Sequence, residues 1–338
     1  MAILSGLFNL EEERIKSEII KRKPSKVLVQ LPEGLRSKAL QVSSIVEGAG
    51  ALAIISADPC YGACDLALNE ARILSADLLI HFGHSEIDLF RQQDTIPVIY
   101  IEAKASIDVR GVIEESLSYL KSWEKIGLVS TVQHVDSLNE AREILERSGK
   151  SVYIGNEPGL KYPGQVLGCD YRNCKSISSI VDAFLFIGSG LFHAVGIFLA
   201  TMKPTLIADP LSGKIERIDD KARLIINRRW MEICEASDAK RWGVIIGLKF
   251  GQRNFETAIK LKKEIEGCGK RAILLSMREI TPETLRDFVD IEAYVNTACP
   301  RISLYETKIF PKPVLTPRET LVALGRMKWE EYLRAGLL

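Results

Sequence analysis

The sequence predicts an α/β protein built from three similar domains, each with a four-stranded, mostly parallel sheet and flanking helices. Short apolar runs alternate with polar segments of helical length, which is the pattern of parallel sheets whose strands are joined by helices. The runs form three sets of four, beginning near residues 26, 125 and 242, so the pattern recurs about every 100 to 117 residues. We expect domains over residues 1–105, 106–215 and 216–338.

The first domain is expected to open with a charged amphipathic helix over residues 9–22, with Asn9 as its N-cap. Its strands are predicted at residues 26–31, 51–56, 77–82 and 97–101. Those of the second domain are predicted at residues 125–130, 151–155, 182–187 and 204–208.

The third domain repeats the pattern, with strands predicted at residues 242–247, 271–276, 291–295 and 313–316. A helix over about residues 219–236 is predicted to bridge the second and third domains. Pro317 is expected to open a C-terminal helix, because proline is well tolerated in the first turn of a helix.

Composition narrows the class of protein. With 338 residues, 46% of them hydrophobic, the chain can bury a sizeable core, which argues against disorder. The net charge of +1 predicts no general attraction to nucleic acid or to an anionic membrane. No basic, apolar leader opens the sequence, and no apolar run approaches the roughly 20 residues of a membrane helix. A cytoplasmic location is therefore expected.

Chemically distinctive residues cluster where the predicted strands end, and ligands of parallel α/β sheets bind beyond the carboxyl ends of the strands. If the three sheets point these ends inward, the loops line one central cavity. Glycine, proline and aspartate are also common in turns without function, so each loop alone is weak evidence. The loops are Gln30–Gly34, the turn at Cys60, His81–Ser85, the turn at Cys169, Gly188–His193, Asp209–Pro210, Gly247–Gln252 and the turn at Cys299.

Seven cysteines without a secretion signal make a disulfide framework the weaker interpretation. Cys60, Cys169 and Cys299 lie in irregular turns, and our hypothesis is that these three thiols meet and hold one metal centre. The spacings to Cys64 and Cys174 do not match zinc-binding C-x2-C pairs. Three separate cysteines can hold an iron–sulfur cluster with one open iron. Buried, reduced cysteines packed as small apolar residues are the alternative.

Histidine and glycine residues at strand ends are candidates for binding a substrate. His84 and His193 both follow glycine-bearing strand ends. Gly188 and Gly190 match neither a phosphate-binding loop nor the full dinucleotide-binding fingerprint. Backbone amides at this helix start can still hold a carboxylate.

Several motifs together resemble the archaeal, homodimeric 2-(3-amino-3-carboxypropyl)histidine synthases of diphthamide biosynthesis, and they are spread over all three expected domains. The motifs are Gln30-Leu31-Pro32-Glu33-Gly34, Tyr61-Gly62-Ala63-Cys64, His81-x-Gly83-His84-Ser85, Gly188-x-Gly190-x-x-His193, Asp209-Pro210-x-Ser212, Gly251-Gln252 and Asn296-Thr297-Ala298-Cys299-Pro300-Arg301.

The resemblance implies a 4Fe–4S cluster held by one cysteine of each domain, carried over as Cys60, Cys169 and Cys299. It implies that Cys64 is not a ligand, while Cys174 remains the alternative in the second domain. It further implies that the 3-amino-3-carboxypropyl group of S-adenosylmethionine passes by radical chemistry to C2 of a histidine on translation elongation factor 2. Methylthioadenosine is left. A homodimer and an electron donor are also implied.

We expect Gly188, Gly190, His193 and Gln252 to line the S-adenosylmethionine pocket, because they follow strands of the second and third domains. Two alternatives remain. Quinolinate synthase resembles this layout, with three domains and three cysteines on one cluster, and a non-catalytic, metal-stabilised scaffold could bind a translation factor. Formation of methylthioadenosine from S-adenosylmethionine distinguishes the first function from both.

Overall fold

A computed structural model describes residues 6–87, 96–305 and 309–338. The described chain contains three sheets. Strands of the first sheet are β1 (Lys26–Gln30), β2 (Leu52–Ser56), β3 (Leu78–Phe82) and β4 (Val98–Ile101). They are all parallel and lie in the order β2-β1-β3-β4.

The other two sheets repeat this order. The second has β5 (Lys125–Ser130), β6 (Ser151–Tyr153), β7 (Ala183–Ile187), β8 (Thr205–Asp209) and β9 (Lys214–Arg217), in the order β6-β5-β7-β8-β9. The third has β10 (Arg241–Gly247), β11 (Arg271–Met277), β12 (Ala293–Asn296) and β13 (Val314–Leu315), in the order β11-β10-β12-β13.

The prediction of three similar α/β units is thus confirmed, and all twelve predicted strands are present. The one difference is β9, which pairs antiparallel with β8 and gives the second sheet a fifth strand. Its sequence, Lys214-Ile215-Glu216-Arg217, has a single apolar residue, so no apolar run marks it.

Both faces of the sheets are covered, which explains why the strands are apolar runs and not alternating ones. Along β1, Val27 and Val29 belong to one apolar cluster while Leu28 belongs to another. In β10, Val244 and Ile245 are divided in the same way between two clusters. With both faces covered, ligands can reach the sheets at the loops that follow the carboxyl ends of the strands.

Helices connect and cover the strands. They are α1 (Glu12–Arg22), α2 (Ala39–Gly48), α3 (Leu68–Ile73), α4 (Arg110–Ser116), α5 (Leu138–Arg147), α6 (Arg172–Ile177), α7 (Leu191–Thr201), α8 (Asp219–Ser237), α9 (Phe255–Gly267), α10 (Pro282–Arg286), α11 (Pro300–Tyr305), α12 (Pro317–Ala323) and α13 (Trp329–Arg334). The predicted N-cap of α1 is wrong: Asn9 instead accepts a hydrogen bond from the Glu11 N–H, and the helix begins at Glu12.

Helix α8 bridges two cores, as predicted. At its start Ala222 packs in a cluster of the second sheet, and near its end Ile233 and Ala236 pack in a cluster of the third. In its middle, the buried guanidinium of Arg229 forms two hydrogen bonds of 2.7 Å to the carboxylate of Glu319.

The chain then returns to the second unit. Pro317 occupies the first turn of α12, as predicted, and Thr316 and Glu319 form a reciprocal cap there. Tyr332 of α13 packs in the same cluster as Ala222. The domain bounds at residues 105 and 215 stay predictions.

Within the described residues, no helix is both long and apolar enough to cross a membrane.

Candidate active site at the meeting point of three sheets

Loops from all three sheets enclose a cavity of about 270 Å³. The central cavity expected from the sequence is therefore present. It is lined by Tyr61, Cys64, His84 and Ser85 from the first unit, by Gln133, Cys169, Phe192 and His193 from the second, and by Lys249, Gln252, Arg278, Glu279, Cys299 and Arg301 from the third, among others.

Three cysteines face this cavity, one from each sheet: Cys64, Cys169 and Cys299. Burial, together with the neighbouring Cys64 and Cys299, raises the pKa of the Cys169 thiol to about 12. Enclosure likewise raises the pKa of Cys299 to about 11, and Cys64 again contributes. The three thiols are thus close enough to oppose one another's ionisation. A cation between them would reverse this, because thiolates are its ligands.

Cys60 lies elsewhere, so the structure does not bring together on this cavity the three cysteines that the sequence-based hypothesis groups. It is not among the described residues that line the cavity. Its sulfur lies next to the rings of His81 and His84, with ligand atoms of all three within 4.8 Å of one another. The chain leaves β2 at Ser56 and first lines the cavity at Tyr61, directly after Cys60. A turn follows in which the Asp65 N–H donates to the Gly62 carbonyl at 2.9 Å. The cysteine at the strand end therefore stops short of the cavity, and the one four residues later reaches it.

The remaining cysteines lie outside this group. Cys174 is completely buried in the core that packs on the second sheet. This burial raises the pKa of its thiol well above the ordinary value. Cys234 is exposed on α8 and Cys268 is partly exposed after α9. In the second unit the structure therefore favours Cys169 over Cys174 as a residue of the site.

Close packing fixes the turn that carries Cys169. The Leu167 N–H donates to the carbonyl of Asp170 at 3.0 Å, which closes the turn around the cysteine. A Cβ atom on Gly168 would lie 2.4 Å from the ring of Phe192, so only glycine fits between the turn and this ring. Asp170 is itself held by Arg172 through bonds of 2.6 to 3.0 Å.

Cys299 lies at the start of α11, directly after β12. The side chain of Asn296 holds this loop, accepting from the Ala298 N–H at 2.9 Å and donating to the Cys299 carbonyl at 2.7 Å. Backbone amides of Arg301 and Ile302 partly offset the effect of burial on the Cys299 pKa. Amides at a helix start favour the thiolate form of a cysteine.

A chain of hydrogen bonds orients His84. The Gln30 side-chain oxygen accepts from the Ala67 N–H at 3.2 Å and lies 2.9 Å from His81 Nδ1, so that nitrogen carries a proton. His81 Nε2 then lies 2.9 Å from His84 Nδ1. Burial lowers the pKa of His84 to about 4, which keeps its ring neutral at physiological pH.

His193 enters the cavity from the first turn of α7. Its ring stacks on Phe186 with centroids 5.9 Å apart and meets the edge of Phe192 at 5.0 Å. Burial, together with the nearby His84 and Arg301, lowers its pKa to about 4. The cavity therefore combines neutral imidazoles with the fixed positive charge of Arg301.

Residues after β10 reach across to the first unit. The amide nitrogen of Gln252 lies 3.5 Å from the sulfur of Cys64. The buried Lys249 ammonium contacts Asp65 at 3.2 Å and Glu279 at 2.8 Å, and lies 4.0 Å above the ring of Tyr61. Burial raises the pKa of Asp65, and Lys249 opposes that rise.

Two of the four predicted pocket residues, His193 and Gln252, lie in the cavity, whereas Gly188 and Gly190 are absent from its described lining. Gly188 is buried against the ring of Phe186. Gly190 is exposed and has φ +84°, a conformation that prepares the start of α7.

Three of the cavity residues that were not predicted lie in loops singled out from the sequence. Cys64 ends the Tyr-Gly-Ala-Cys motif, Lys249 precedes Gln252 by three positions, and Arg301 follows Cys299 by two. In each case the strand end was identified, but the position within the loop that points inward was not.

Comparison with known proteins agrees with this geometry. The sequence model of the diphthamide synthesis protein family matches residues 31–333. The chain is 38% identical to the 2-(3-amino-3-carboxypropyl)histidine synthase of Pyrococcus horikoshii, covering 94% of this chain and 91% of that protein. It is 30% identical to subunit 1 of the human 2-(3-amino-3-carboxypropyl)histidine synthase, covering 97% of this chain and 75% of that protein.

A solved structure has the same architecture. The crystal structure of Dph2 from Pyrococcus horikoshii with a 4Fe-4S cluster superimposes with a TM-score of 0.87 and 36% sequence identity. The match covers 98% of this chain and 95% of the other. The chain therefore belongs to the diphthamide synthesis protein family.

Proposed function

We propose that this protein transfers the 3-amino-3-carboxypropyl group of S-adenosylmethionine to a histidine of translation elongation factor 2, the first step of diphthamide biosynthesis. The observation that carries the proposal is the convergence of Cys64, Cys169 and Cys299 on one cavity, in a chain of this family. The names of its relatives give the group transferred and the residue modified.

The cluster ligands we propose are Cys64, Cys169 and Cys299, with Cys64 replacing Cys60 of the sequence-based prediction. Three thiols from three sheets fit a 4Fe–4S cluster with one iron left free of protein ligands. When bound, such a cluster would supply a single electron and a binding position for the methionine end of the substrate. The protein then has to select which bond to sulfur breaks, and it does so by orienting the sulfonium.

Arg301, His193 and Gln252 form the proposed S-adenosylmethionine site. All three line the cavity beside the cysteines, and Arg301 supplies a fixed positive charge for the methionine carboxylate. Its guanidinium lies over the rings of Phe192 and Tyr61, 5.3 and 5.9 Å from their centroids, which fixes its direction. Gly188 and Gly190 of the earlier prediction then act as turn residues before α7.

The overall reaction balances without a net oxidant. The bond between sulfur and the aminocarboxypropyl carbon breaks, a carbon–carbon bond forms at imidazole C2, and one proton leaves that carbon. The products are the modified histidine and methylthioadenosine. Neutral His84 and His193 suit such a site, since a cavity with fewer positive charges admits the sulfonium at lower electrostatic cost.

The protein partner has to place its imidazole in the same cavity, so we propose that elongation factor 2 docks over the cavity mouth. A homodimer, a cytoplasmic location and an external electron donor belong to the same proposal. Light scattering tests the oligomer. A mass at working concentration equal to that of one 37.7 kDa chain would contradict it.

Anaerobic assay tests the transferase. With dithionite, S-adenosylmethionine and archaeal elongation factor 2, we expect methylthioadenosine and a mass increase of the factor by one aminocarboxypropyl group. Quinolinate formation from small acids would instead support the quinolinate synthase alternative. A reduced, cluster-loaded protein that forms no methylthioadenosine would contradict the proposal.

The substrate site has its own test. Arg301→Met removes the charge but keeps the length of the side chain, and we expect about 10- to 100-fold weaker S-adenosylmethionine binding from the lost charged contact. Calorimetry on the cluster-loaded protein measures it. Arg326→Met, at an exposed position between α12 and α13, is the control. Equal affinities in the two variants would remove Arg301 from the site.

A further inference from the structure

The loop after β10 is fastened to the cysteine turn of the first sheet. The Gly251 N–H donates to the carbonyl of Cys64 at 2.7 Å. Two residues earlier, Lys249 contacts Asp65, the residue next to Cys64, at 3.2 Å. Although 187 positions of sequence separate Cys64 from Gly251, one backbone bond and one ion pair hold the two loops together.

Within this contact, Gln252 directs its amide nitrogen at the sulfur of Cys64, at 3.5 Å. This separation is a normal length for an N–H···S hydrogen bond. The side chain is 7% exposed, so water does not compete freely for the donor.

The backbone of Gln252 is equally constrained. Its own N–H donates to the carbonyl of Lys249 at 3.0 Å, in a short 3-10 turn. A Cβ atom on Gly247 would lie 2.8 Å from the Gln252 carbonyl, so the turn folds tightly against the end of β10. The backbone that carries this side chain is therefore held in place without a substrate.

A donor aimed at a ligand sulfur favours the state with more negative charge on that sulfur. Hydrogen bonds to the sulfurs are one of the factors that set the reduction potential of an iron–sulfur cluster. We propose that Gln252 is a positioning residue that raises the reduction potential of the cluster through its hydrogen bond to the Cys64 sulfur. The inference rests on the proposed cluster site and deepens it.

The Gln252 side chain can both donate to the Cys64 sulfur and take part in binding S-adenosylmethionine. Its nitrogen faces Cys64, while its oxygen is an acceptor suited to the ammonium group of S-adenosylmethionine. The potential is measured without substrate, so an effect on the Cys64 sulfur is seen independently of any effect on binding.

The experiment is an anaerobic redox titration of the cluster-loaded, full-length protein, followed by electron paramagnetic resonance. Gln252→Met keeps the volume but has no donor, so its potential should shift to a more negative value. Gln252→Glu adds a negative charge as well and should shift further in the same direction. Gln133→Met is the control, because this cavity-lining amide donates to the Gly83 and Glu102 carbonyls and not to a sulfur.

A Gln252→Met potential equal to that of the wild type, with unchanged iron content, would overturn the inference. So would loss of the cluster in both Gln252 variants, because the assigned role is to tune the cluster and not to retain it. Resonance Raman spectroscopy adds a second readout, since loss of the N–H···S bond should move the iron–cysteine stretching bands. A wild-type protein that takes up no cluster would instead contradict the proposed function.

Discussion

Cys60 and Cys64 lie four positions apart in one turn, yet they face different neighbours. Cys64 faces two other thiols, whereas Cys60 lies against two neutral histidine rings. Burial, together with the charge of Asp65, raises the pKa of Cys60 to about 12, which is also the value for Cys169. Its position beside the two histidine rings, outside the cavity lining, separates it from the three proposed ligands.

Replacing each of the two cysteines tests this difference. After anaerobic reconstitution, Cys64→Ala should lose cluster iron and its absorbance, because one of three anchoring thiolates is gone. Cys60→Ala should retain wild-type iron content, as should the exposed control Cys234→Ala. Iron analysis and absorbance spectroscopy measure the cluster content of all three variants. Loss of the cluster in Cys60→Ala with retention in Cys64→Ala would restore the original sequence-based assignment.

The histidines predict an acid sensitivity of the cluster-free protein. The pKa of His193 falls from its ordinary 6.5 to about 4 on folding, because burial penalises its charged form. The unfolded chain therefore binds more protons between these values. The stability contributed by the neutral ring is complete above pH 6.5 and is lost as the pH falls toward 4.

We expect the free energy of unfolding to fall over this window, by at most about 1.4 kcal/mol per pH unit for each such histidine. Urea unfolding of the cluster-free protein between pH 4.5 and 7.5 measures the slope. His193→Gln, which cannot titrate, should flatten it. An identical slope in the variant would show that His193 is already charged, or is not buried, in the folded protein.

At the scale of elements, helix α8 depends on one buried ion pair. Arg229 and Glu319 are both fully buried and joined by two hydrogen bonds of 2.7 Å, and Arg229 also donates to the Ser303 carbonyl. Glu319 and its neighbours raise the pKa of Arg229 despite the burial that opposes its charge. The pair thereby ties the bridging helix to the start of α12.

Arg229→Met should cost about 3 to 5 kcal/mol, because it leaves the Glu319 charge buried without its partner. Adding Glu319→Gln removes that charge and should recover part of the loss. Arg147→Met is the control: its pair with Glu143 is exposed on both sides, so at most about 1 kcal/mol is expected. Urea unfolding compares the variants, and equal losses for Arg229→Met and Arg147→Met would contradict the role of the buried pair.

The elements themselves could be predicted because the apolar runs are long enough to identify. β-strands buried on both faces leave a continuous apolar signal, and Pro317 with Glu319 marks the start of α12. Short polar β9 leaves no such signal, since it is held by pairing with β8 and not by burial. Helix α1 begins three residues later than predicted, because the Asn9 side chain accepts a hydrogen bond from the Glu11 N–H before the helix starts.

The orientation of side chains within a loop was harder to predict than the loop itself. Cys64, the cysteine that faces the cavity, accepts a backbone hydrogen bond from Gly251, which belongs to a loop of another sheet. Motif spacing within one loop contains no information about that contact. The same limit applies to Lys249 and Arg301, whose partners come from the first and second units.

At the scale of the molecule, the three sheets repeat one strand order, but their loops do not repeat one chemistry. After the second strand of each unit come Cys64, Cys169 and Arg278. After the third strand of each come His84, His193 and Cys299. A repeated scaffold thus gives the cavity three thiols, two imidazoles and a guanidinium from equivalent places, which is why the cysteines themselves show no regular spacing.

A cluster bound to Cys64, Cys169 and Cys299 would connect all three sheets at once. A ligand that binds only the folded state stabilises that state. The cluster-loaded protein should therefore unfold at a higher temperature than the cluster-free protein. Its three cysteine turns should also exchange amide hydrogen more slowly, since opening any one of them breaks a bond to the metal.

Anaerobic calorimetry and hydrogen exchange read by mass spectrometry measure the two effects. Cys60→Ala should show the full difference between loaded and cluster-free protein, because this residue does not face the cavity. Protection should rise together in the turns that carry Cys64, Cys169 and Cys299, and remain unchanged around Cys234 on the exposed side of α8. Protection of only two turns would mean that one sheet contributes no ligand, and the unprotected turn would identify which cysteine to remove from the assignment.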